Sequence, residues 1–497
     1  MDRPISGAGG GRRARPTAHE LARYEALFAA RTRGMKSSAM REMMALTERP
    51  DVISLAGGLP DTTTFAPELY AKLMSRIAAT STARALQYGP TEGMAATVQC
   101  VVEVMAAEGT SVDSDEVIVT TGGQQVIDLV CKTLIDPGDV IVAEAPTYPG
   151  AVPTFSAYQA QVEQIEIDAD GMPIDELERT LDRLAAEGRR PKFIYTIPNF
   201  QNPGGVTMSL ARRRRLIQVA HERELLVLED NPYGLLRYEG EPLPTLYSLD
   251  AELGGGGSAG LVIYLGTFSK ILSPGLRLGW AVAPRPVLEK LNLGKQGADL
   301  CTSSVTQLFV AEYFKEHDGS GRPGWLGYVE QLRELYRRRR DVMFESLAEH
   351  FGEAGSWTHP QGGLFVWATL DARIDTTDLL ARARDSERVA FVPGRAAYVD
   401  GRRGSSSMRL NFAGVPDDDI REGIRRIGKA LRAQVGLYGS LTGSGSPSSA
   451  RADDSDSRAQ SAPRTDEQAP EQQQPLADVV ALPRRAQEDS PRRRQDR

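Results

Sequence analysis

The sequence predicts an α/β protein with a mainly parallel mixed sheet covered by helices, followed by a smaller α+β domain. Short apolar runs alternate with amphipathic helical patterns from about residue 117 to residue 300, as in sheets covered on both faces. The pattern changes after Cys301, where a long charged helix precedes a β-rich stretch and then another helix. A chain of 497 residues, 41% of them hydrophobic, is large enough to build more than one domain.

The strands expected in the main sheet are short, apolar and bounded by turn residues. They are residues 117–120, 140–143, 193–197, 225–228, 262–265 and 278–282. Helical patterns with apolar residues three or four positions apart lie between them. They include residues 125–134, 174–186 and 210–224.

The second part of the chain begins with a helix expected at about 328–350, which contains four consecutive arginines, Arg337 to Arg340. Adjacent helical residues point in different directions, so we expect the run to be a solvated helix face rather than an anion site. Residues 362–367 and a βα pattern ending near Ala433 complete the predicted smaller domain.

Composition excludes several classes of protein. The formal net charge of −7 argues against a general nucleic-acid binder. No apolar run is long enough to span a bilayer, and the N-terminus lacks the apolar segment of a secretory signal. The cysteines are isolated, which favours free thiols in a reducing cytoplasm, and the five histidines show no metal-ligand spacing. We therefore expect a cytoplasmic protein with no metal, membrane or nucleic-acid partner.

Lys270 stands at the end of a predicted buried strand, with Thr267 and Ser269 before it and Arg277 seven positions later. A lysine amine forms a Schiff base with a phosphorylated aldehyde, while hydroxyls and a guanidinium hold the phosphate. An ordinary loop lysine beside a strand fits this segment equally well when the segment is taken alone.

Other polar clusters also follow predicted strands, where ligands bind in open α/β sheets. Gly122 and Gly123 open a helix whose N–H groups suit a phosphate, although a plain tight turn explains them too. Tyr148 suits stacking on an aromatic cofactor or simple loop packing. Asn202, in the stiff turn PNFQNPGG, suits a hydrogen bond to a phenolate oxygen or an Asx turn.

The remaining clusters carry charge. Asp230 suits pairing with a pyridinium nitrogen, or capping of a helix, and Tyr233 lies three residues on. Arg409 lies in an alternating strand pattern and suits bidentate binding of a carboxylate, or an exposed strand position.

In combination and in this order, the clusters resemble the class I and II aminotransferases, which are fold-type I enzymes dependent on pyridoxal 5′-phosphate (PLP). The resemblance covers about residues 35–436. It implies that Lys270 binds the cofactor covalently and is the catalytic base. It also implies that Asp230 pairs with the ring nitrogen, Asn202 and Tyr233 with the ring oxygen, and Tyr148 with the ring face. The implied phosphate ligands are Gly123, Gln124, Thr267, Ser269 and Arg277.

The finer resemblance is to the 2-aminoadipate and kynurenine aminotransferase II subgroup, through SLAGGLP at residues 54–60, PNFQNPGG and GTFSKILSPGLRLGW. It implies a homodimer in which Tyr88 reaches the neighbouring subunit's phosphate. It further implies substrate binding by Arg409, Asn202, Gly58 and Arg41, with Arg409 on the α-carboxylate and Arg41 on a distal carboxylate. Arg41 also fits a helix residue paired with a nearby acid. One departure is Gly123, where related proteins often have a serine hydroxyl.

Composition predicts a disordered N-terminus at 1–20 and a disordered, low-complexity tail at 437–497. Between them we expect an arm and part of the small domain at 21–65, a large PLP-binding domain at 66–305 and a small C-terminal domain at 306–436.

The expected activity is transfer of an amino group from an L-amino acid of the 2-aminoadipate, aromatic or branched-chain type to a 2-oxo acid, 2-oxoglutarate being the expected acceptor. Two alternatives remain at this point. The first is another PLP reaction, β-elimination or decarboxylation, on the same fold. The second is a transcription regulator with an aminotransferase-like domain, although only about forty residues precede that region, too few for a winged helix.

Overall fold

The computed structural model describes Tyr24 and residues 27–35, 51–255 and 260–442. All of them lie within one compact unit, Met1–Gly445. Arg41, the expected N-terminus at 1–20 and the tail beyond Thr442 lie outside the described residues.

The strands of the described residues form three sheets. They are β1 (Ile53–Ser54), β2 (Val117–Thr120), β3 (Val140–Ala145), β4 (Gln161–Glu166), β5 (Pro191–Thr196), β6 (Leu226–Asp230), β7 (Val262–Thr267), β8 (Gly279–Val282), β9 (Gly355–Trp357), β10 (Phe365–Leu370), β11 (Val389–Ala390), β12 (Val392–Pro393) and β13 (Ser407–Asn411).

The helices cover the sheets and connect the strands. They are α1 (Pro67–Thr80), α2 (Thr82–Leu86), α3 (Ala95–Ala107), α4 (Gly123–Leu134), α5 (Val152–Ala157), α6 (Ile174–Ala186), α7 (Leu210–Arg223), α8 (Leu246–Asp250), α9 (Arg285–Gln296), α10 (Ser304–Phe314), α11 (Gly324–His350), α12 (Thr376–Glu387) and α13 (Asp417–Thr442).

The main sheet has seven strands in the order β2-β8-β7-β6-β5-β3-β4. Strands β7, β6, β5, β3 and β4 are parallel, and β8 runs antiparallel to both of its neighbours. Separate apolar cores cover the two faces of this sheet. The predicted mixed, mainly parallel sheet covered by helices is therefore confirmed, and its parallel strands end at one common edge.

The antiparallel sheet β12-β13-β10-β9 has an apolar core of its own. We call it the second core, to distinguish it from the apolar residues that cover the main sheet. It includes Val52 and Leu55 from the N-terminal segment. In α11 its first fully buried residue is Leu332, and the partly buried Tyr328 also packs against it. Trp325 and Val329, earlier in α11, still pack with the main sheet. The change from one core to the other thus occurs inside α11, whereas the domain boundary at 305/306 stays a prediction.

All six strands expected in the main sheet are present, and their ends differ from the expected ones by at most two residues. Strand β4 was not expected, because its sequence QVEQIE is polar and its position at the sheet edge leaves it partly exposed. Helix α13 ends at Thr442, beyond Gly436, where we expect the tail to begin.

The arginine run is not the solvated face that we expected. Arg337 and Arg338 are exposed, but Arg339 and Arg340 are only 5% and 3% exposed. An Arg339 Nη lies 2.5 Å from Asp61 Oδ2, and the guanidinium also donates to the carbonyl oxygen of Ala413. The run therefore joins the N-terminal segment to the second core.

We expect Asp61→Ala to lower the free energy of unfolding by about 3 kcal/mol, because it leaves the buried Arg339 guanidinium without its close partner. Urea unfolding followed by circular dichroism measures this change. The matched control is Arg338→Ala, which removes an exposed pair with Asp417 and should cost less than about 1 kcal/mol. Equal losses of unfolding free energy in the two variants would show that the buried pair stabilises the fold no more than the exposed pair does.

Candidate active site

A cavity of about 300 Å³ lies at the carboxyl edge of the main sheet, between that sheet and the second core. It brings together twelve of the residues predicted from the sequence. They are Gly58, Gly123, Gln124, Tyr148, Asn202, Asp230, Tyr233, Thr267, Ser269, Lys270, Arg277 and Arg409.

Lys270 is placed three residues after the end of β7, a strand buried along its whole length. Its Nζ donates a hydrogen bond of 2.6 Å to the carbonyl oxygen of Gly58. Burial, together with the positive charges of Arg409 and Arg277, lowers the pKa of the Lys270 amine to about 8. About a tenth of the amine is therefore neutral, and nucleophilic, at pH 7, far more than for an ordinary lysine.

Asp230 is the last residue of β6, next to β7 in the sheet. Its side chain is 5% exposed, and the Tyr195 hydroxyl donates to Oδ2 at 2.6 Å. Burial raises the pKa of Asp230 to about 6, and the hydrogen bond from Tyr195 opposes that rise. A cationic N–H group that enters the cavity would therefore stabilise the charged form of the Asp230 carboxyl group.

Arg409 comes from β13, in the second sheet. Its guanidinium donates to Asn202 Oδ1 at 3.0 Å and to the carbonyl oxygen of Ala56 at 2.8 Å, and it lies 4.3 Å from the centroid of the Phe365 ring. Burial lowers its pKa to about 10, so it stays charged near neutral pH. A fixed guanidinium of this kind suits a planar carboxylate.

Asn202 and Tyr233 lie together beside Arg409. Asn202 Nδ2 donates to the Tyr233 hydroxyl at 3.4 Å, a long bond that a ligand oxygen can replace. Both side chains are at most 5% exposed, so a ligand oxygen between them is shielded from water.

The opposite end of the cavity suits an anion. Thr267 Oγ1 and Ser269 Oγ lie 2.8 Å apart, near the N-terminus of α4 at Gly123. Gly122 precedes that helix with φ of +78°, a left-handed conformation that favours glycine. Arg277 stands against Gly122, since a Cβ there would lie 2.5 Å from an Arg277 Nη. Hydroxyls, helix N–H groups and a guanidinium thus converge.

Gln124 lines this end differently from expectation. Its Nε2 donates to Thr154 Oγ1 at 2.8 Å and to the carbonyl oxygen of Gly150 at 3.2 Å. The side chain is tied to α5 and its neighbouring turn, so its backbone N–H is the better placed group for an anion.

Among the predicted residues that the structure describes, Tyr88 does not line the cavity; it is 79% exposed on the surface of the chain. Arg41 lies outside the described residues, so its role stays a prediction.

Glu144 is a buried residue that the sequence analysis missed. It accepts from the Thr196 hydroxyl, from Ile197 N at 3.1 Å and from Gln201 Nε2 at 3.1 Å, and burial raises its pKa to about 7. Gln201 also donates to the carbonyl oxygen of Pro146 at 2.7 Å. Glu144 thus ties together the two turns that carry Tyr148 and Asn202. The sequence signal that could have identified Glu144 is a carboxylate at the end of an apolar run.

The donor set fits PLP. Lys270 would provide an amine for the aldehyde, and Asp230 would provide a carboxylate for the ring nitrogen. The end of the cavity formed by Thr267, Ser269 and Arg277 would provide a site for the phosphate.

Among the described residues, no group of three or more His, Cys, Asp or Glu side chains is arranged to bind a metal ion. The described helices include none with the length and apolar character required to cross a membrane.

Comparison with known proteins agrees with this geometry. The family model described as aminotransferase class I and II matches residues 50–427. Aromatic-amino-acid aminotransferase 1 of Thermococcus litoralis is 42% identical over 414 residues, which cover 83% of this chain and 95% of that protein.

Solved structures show the same likeness. The kynurenine aminotransferase of Pyrococcus horikoshii, in complex with PMP, has a TM-score of 0.76 and 39% identity, covering 84% of this chain and 99% of that one. The alpha-aminoadipate aminotransferase of Thermus thermophilus, complexed with N-(5′-phosphopyridoxyl)-L-leucine, has a TM-score of 0.76 and 37% identity, covering 83% and 99%.

We expect the Lys270 amine of the cofactor-free protein to titrate near pH 8, well below the value of about 10.4 for an ordinary lysine. Labelling with acetic anhydride at several pH values, with mass spectrometry of the Lys270 peptide, measures the midpoint. Arg409→Gln removes a repelling charge and should raise that midpoint, whereas the exposed Arg402→Gln should leave it unchanged. A Lys270 midpoint near 10 in the wild-type protein would contradict the expected effect of burial.

Proposed function

The chain belongs to the class I and II aminotransferases, PLP-dependent enzymes that transfer amino groups, and we propose that the cavity around Lys270 is its active site. The proposed donor is an L-amino acid of the 2-aminoadipate, aromatic or branched-chain type, and the proposed acceptor is 2-oxoglutarate. The observation that carries the proposal is that Lys270, Asp230 and Arg409 line one cavity, although Asp230 and Arg409 lie in strands of different sheets and Lys270 follows a third strand.

The donor class is supported by the relatives. Their names specify aromatic amino acids, kynurenine and alpha-aminoadipate, and one structure carries a phosphopyridoxyl-leucine. Among the described residues, the cations lining the cavity are Lys270, Arg277 and Arg409. Two of them have roles at the cofactor, so Arg409 is the residue available for the α-carboxylate common to all these donors.

When bound, PLP supplies a ring that withdraws electrons from the substrate Cα. Lys270 would hold the cofactor through its amine until the substrate amine replaced it. The freed Lys270 amine would then be the base that takes the substrate Cα proton, a role for which its lowered pKa suits it. The same amine would keep that proton and act later as the general acid.

Other side chains orient the reactants. Arg409 binds the α-carboxylate beside Asn202, so the Cα–H bond faces Lys270 in a fixed position. Asp230 would keep a proton on the ring nitrogen, and Asn202 and Tyr233 would donate to the ring oxygen. Tyr148 would cover the ring face. The residues that would hold the phosphate are Gly123, Gln124, Thr267, Ser269 and Arg277.

We further propose that the enzyme is a homodimer in which Tyr88 completes the neighbouring subunit's phosphate site. An apolar patch formed by Leu86, Tyr88, Leu293 and Leu300 is exposed, each side chain by 46% or more. It is one region, because Ser304 Oγ donates to the carbonyl oxygen of Gln87 and Asn292 donates to Glu92. It also adjoins the phosphate end, since Thr121 Oγ1 donates to Asp299 Oδ2 at 2.8 Å.

The three cysteines, Cys100, Cys131 and Cys301, are free thiols. They support the proposal that the enzyme works in a reducing compartment, the cytoplasm.

We expect the PLP-loaded enzyme to convert 2-aminoadipate, phenylalanine, kynurenine or leucine to the 2-oxo acid while 2-oxoglutarate becomes glutamate. Chromatography of both products, with initial rates at varied donor and acceptor, should show ping-pong kinetics. Lys270→Ala should abolish turnover because the base is lost, whereas Lys429→Ala, on an exposed face of α13, should retain it. Keto-acid formation by Lys270→Ala at the wild-type rate, or ammonia release without an acceptor, would contradict the assignment.

The dimer is tested by mixing subunits. Tyr88→Ala homodimers should bind PLP weakly, and Lys270→Ala homodimers should be inactive. If Tyr88 serves the neighbouring site, each hybrid contains one intact site, and an equal mixture after subunit exchange should recover about a quarter of wild-type activity. The measurement is the transfer rate after exchange, with size-exclusion chromatography to follow the dimer. No recovery in hybrids shown to have formed would place Tyr88 in its own subunit's site or in none.

A further inference from the structure

Tyr195 is a buried tyrosine of β5 that the mechanism above does not use. It pairs with Leu228 of β6 in the parallel register, two residues before Asp230. Its side chain is 0% exposed, and its ring packs edge-on against Phe155 with centroids 5.4 Å apart. The hydroxyl is therefore held at one position, 2.6 Å from Asp230 Oδ2.

The surroundings of Asp230 make this bond significant. Within the described residues, no lysine, arginine or histidine nitrogen forms an ion pair with Asp230, and the Tyr195 hydroxyl is its side-chain hydrogen-bond donor. The other titratable groups that face the carboxylate are Glu144 and Tyr148 from β3 and the turn after it, and Tyr233 from the turn after β6. None of these supplies a positive charge, and the cations that line the same cavity, Lys270, Arg277 and Arg409, form no ion pair with Asp230.

A hydroxyl at this position has an energetic cost of its own. Burying it without a partner would destabilise the fold, so packing alone would be served better by a phenylalanine. A hydrogen bond to a charged oxygen is stronger than one to a neutral group. The Tyr195 hydroxyl therefore favours the charged form of Asp230 over the protonated form.

We propose that Tyr195 is the positioning residue for Asp230: it holds Oδ2, turns Oδ1 toward the cofactor ring nitrogen and keeps the proton on that nitrogen. This inference rests on the proposed function, in which Asp230 is the partner of the ring nitrogen. It extends the site by one strand, because β5 then acts on the ring through β6 without touching it.

The test uses Tyr195→Phe, which removes one hydroxyl and keeps the ring. The apoenzyme is titrated with PLP and with the 1-deaza analogue of PLP, in which carbon replaces the ring nitrogen, and the dissociation constants are measured by fluorescence. We expect Tyr195→Phe to weaken PLP binding about tenfold, the size of one charged hydrogen bond, and to leave analogue binding unchanged. Equal weakening of both ligands, or no weakening, overturns the proposal. The matched control is Tyr158→Phe, which removes a hydroxyl that donates to Asp128, away from the cavity, and should change neither constant.

A second readout follows the proton itself. With ring-labelled PLP bound, the nitrogen resonance reports the pH at which the ring loses its proton. Because Tyr195→Phe favours the protonated form of Asp230, the ring should lose its proton at a lower pH than in the wild-type holoenzyme. An unchanged midpoint overturns the proposal. If Tyr195→Phe does not fold, 3-fluorotyrosine at position 195 keeps the hydroxyl as a stronger donor, and the midpoint should move to higher pH; no movement or the opposite movement then overturns it.

These outcomes separate the inference from the proposed function. A wild-type enzyme that does not distinguish PLP from the deaza analogue, or does not transfer amino groups, contradicts the role of Asp230 or of the whole site. A wild-type enzyme that does both, with a Tyr195→Phe variant that behaves like it, contradicts the role of Tyr195 alone.

Discussion

The partial burial of Lys270 and the full burial of Asp230 at one edge of the main sheet are the constraint on which the rest of the site depends. Strands β6 and β7 are parallel neighbours, and Asp230 pairs with Leu265, so Lys270 follows only five residues later at the same edge. Burial penalises both charges, which lowers the pKa of Lys270 and raises that of Asp230. The same loss of water that makes the lysine a useful base therefore makes the aspartate costly, and a ligand with a cationic ring nitrogen reduces that cost.

The second sheet completes the site because several separate parts of the chain meet at Arg409. Its guanidinium bonds to Asn202 from the main sheet and to Ala56 from the N-terminal segment. That segment is fixed in turn by the pairing of β1 with β11 and by the bond from Asn411 N to the carbonyl oxygen of Leu55. A substrate carboxylate at Arg409 would therefore interact with a residue that is held by both cores.

Much of the fold and of the site could be predicted from the sequence, and the reasons for the remainder are physical. Apolar runs identified the buried strands. Strand β4 lies at an edge of the sheet, and its mostly polar sequence QVEQIE lacks such an apolar run. Strand ends identified Lys270, Asp230 and Asn202, since ligands bind at the carboxyl ends of parallel strands. Glu144 and Tyr195 were missed because their importance depends on which neighbour they face across the sheet. Arg339 was misjudged for the same reason: its partner, Asp61, lies 278 positions away in the sequence.

Gly123 would leave the proposed phosphate site without the serine hydroxyl that related proteins often have, and neighbouring groups are placed to compensate for it. Thr267 and Ser269 already supply two hydroxyls 2.8 Å apart, and Gly122, with its positive φ, turns the chain so that α4 begins at the cavity. The Gln124 side chain is bonded to Thr154 and so adds little beyond its backbone N–H. The remaining charge must come from Arg277, which is exposed in the single chain. An exposed guanidinium binds a phosphate weakly in water, because solvent screens the attraction. Covering this end with the apolar patch of a second subunit would remove that water and strengthen every contact to the phosphate, so the absent hydroxyl makes the proposed dimer more important for cofactor binding.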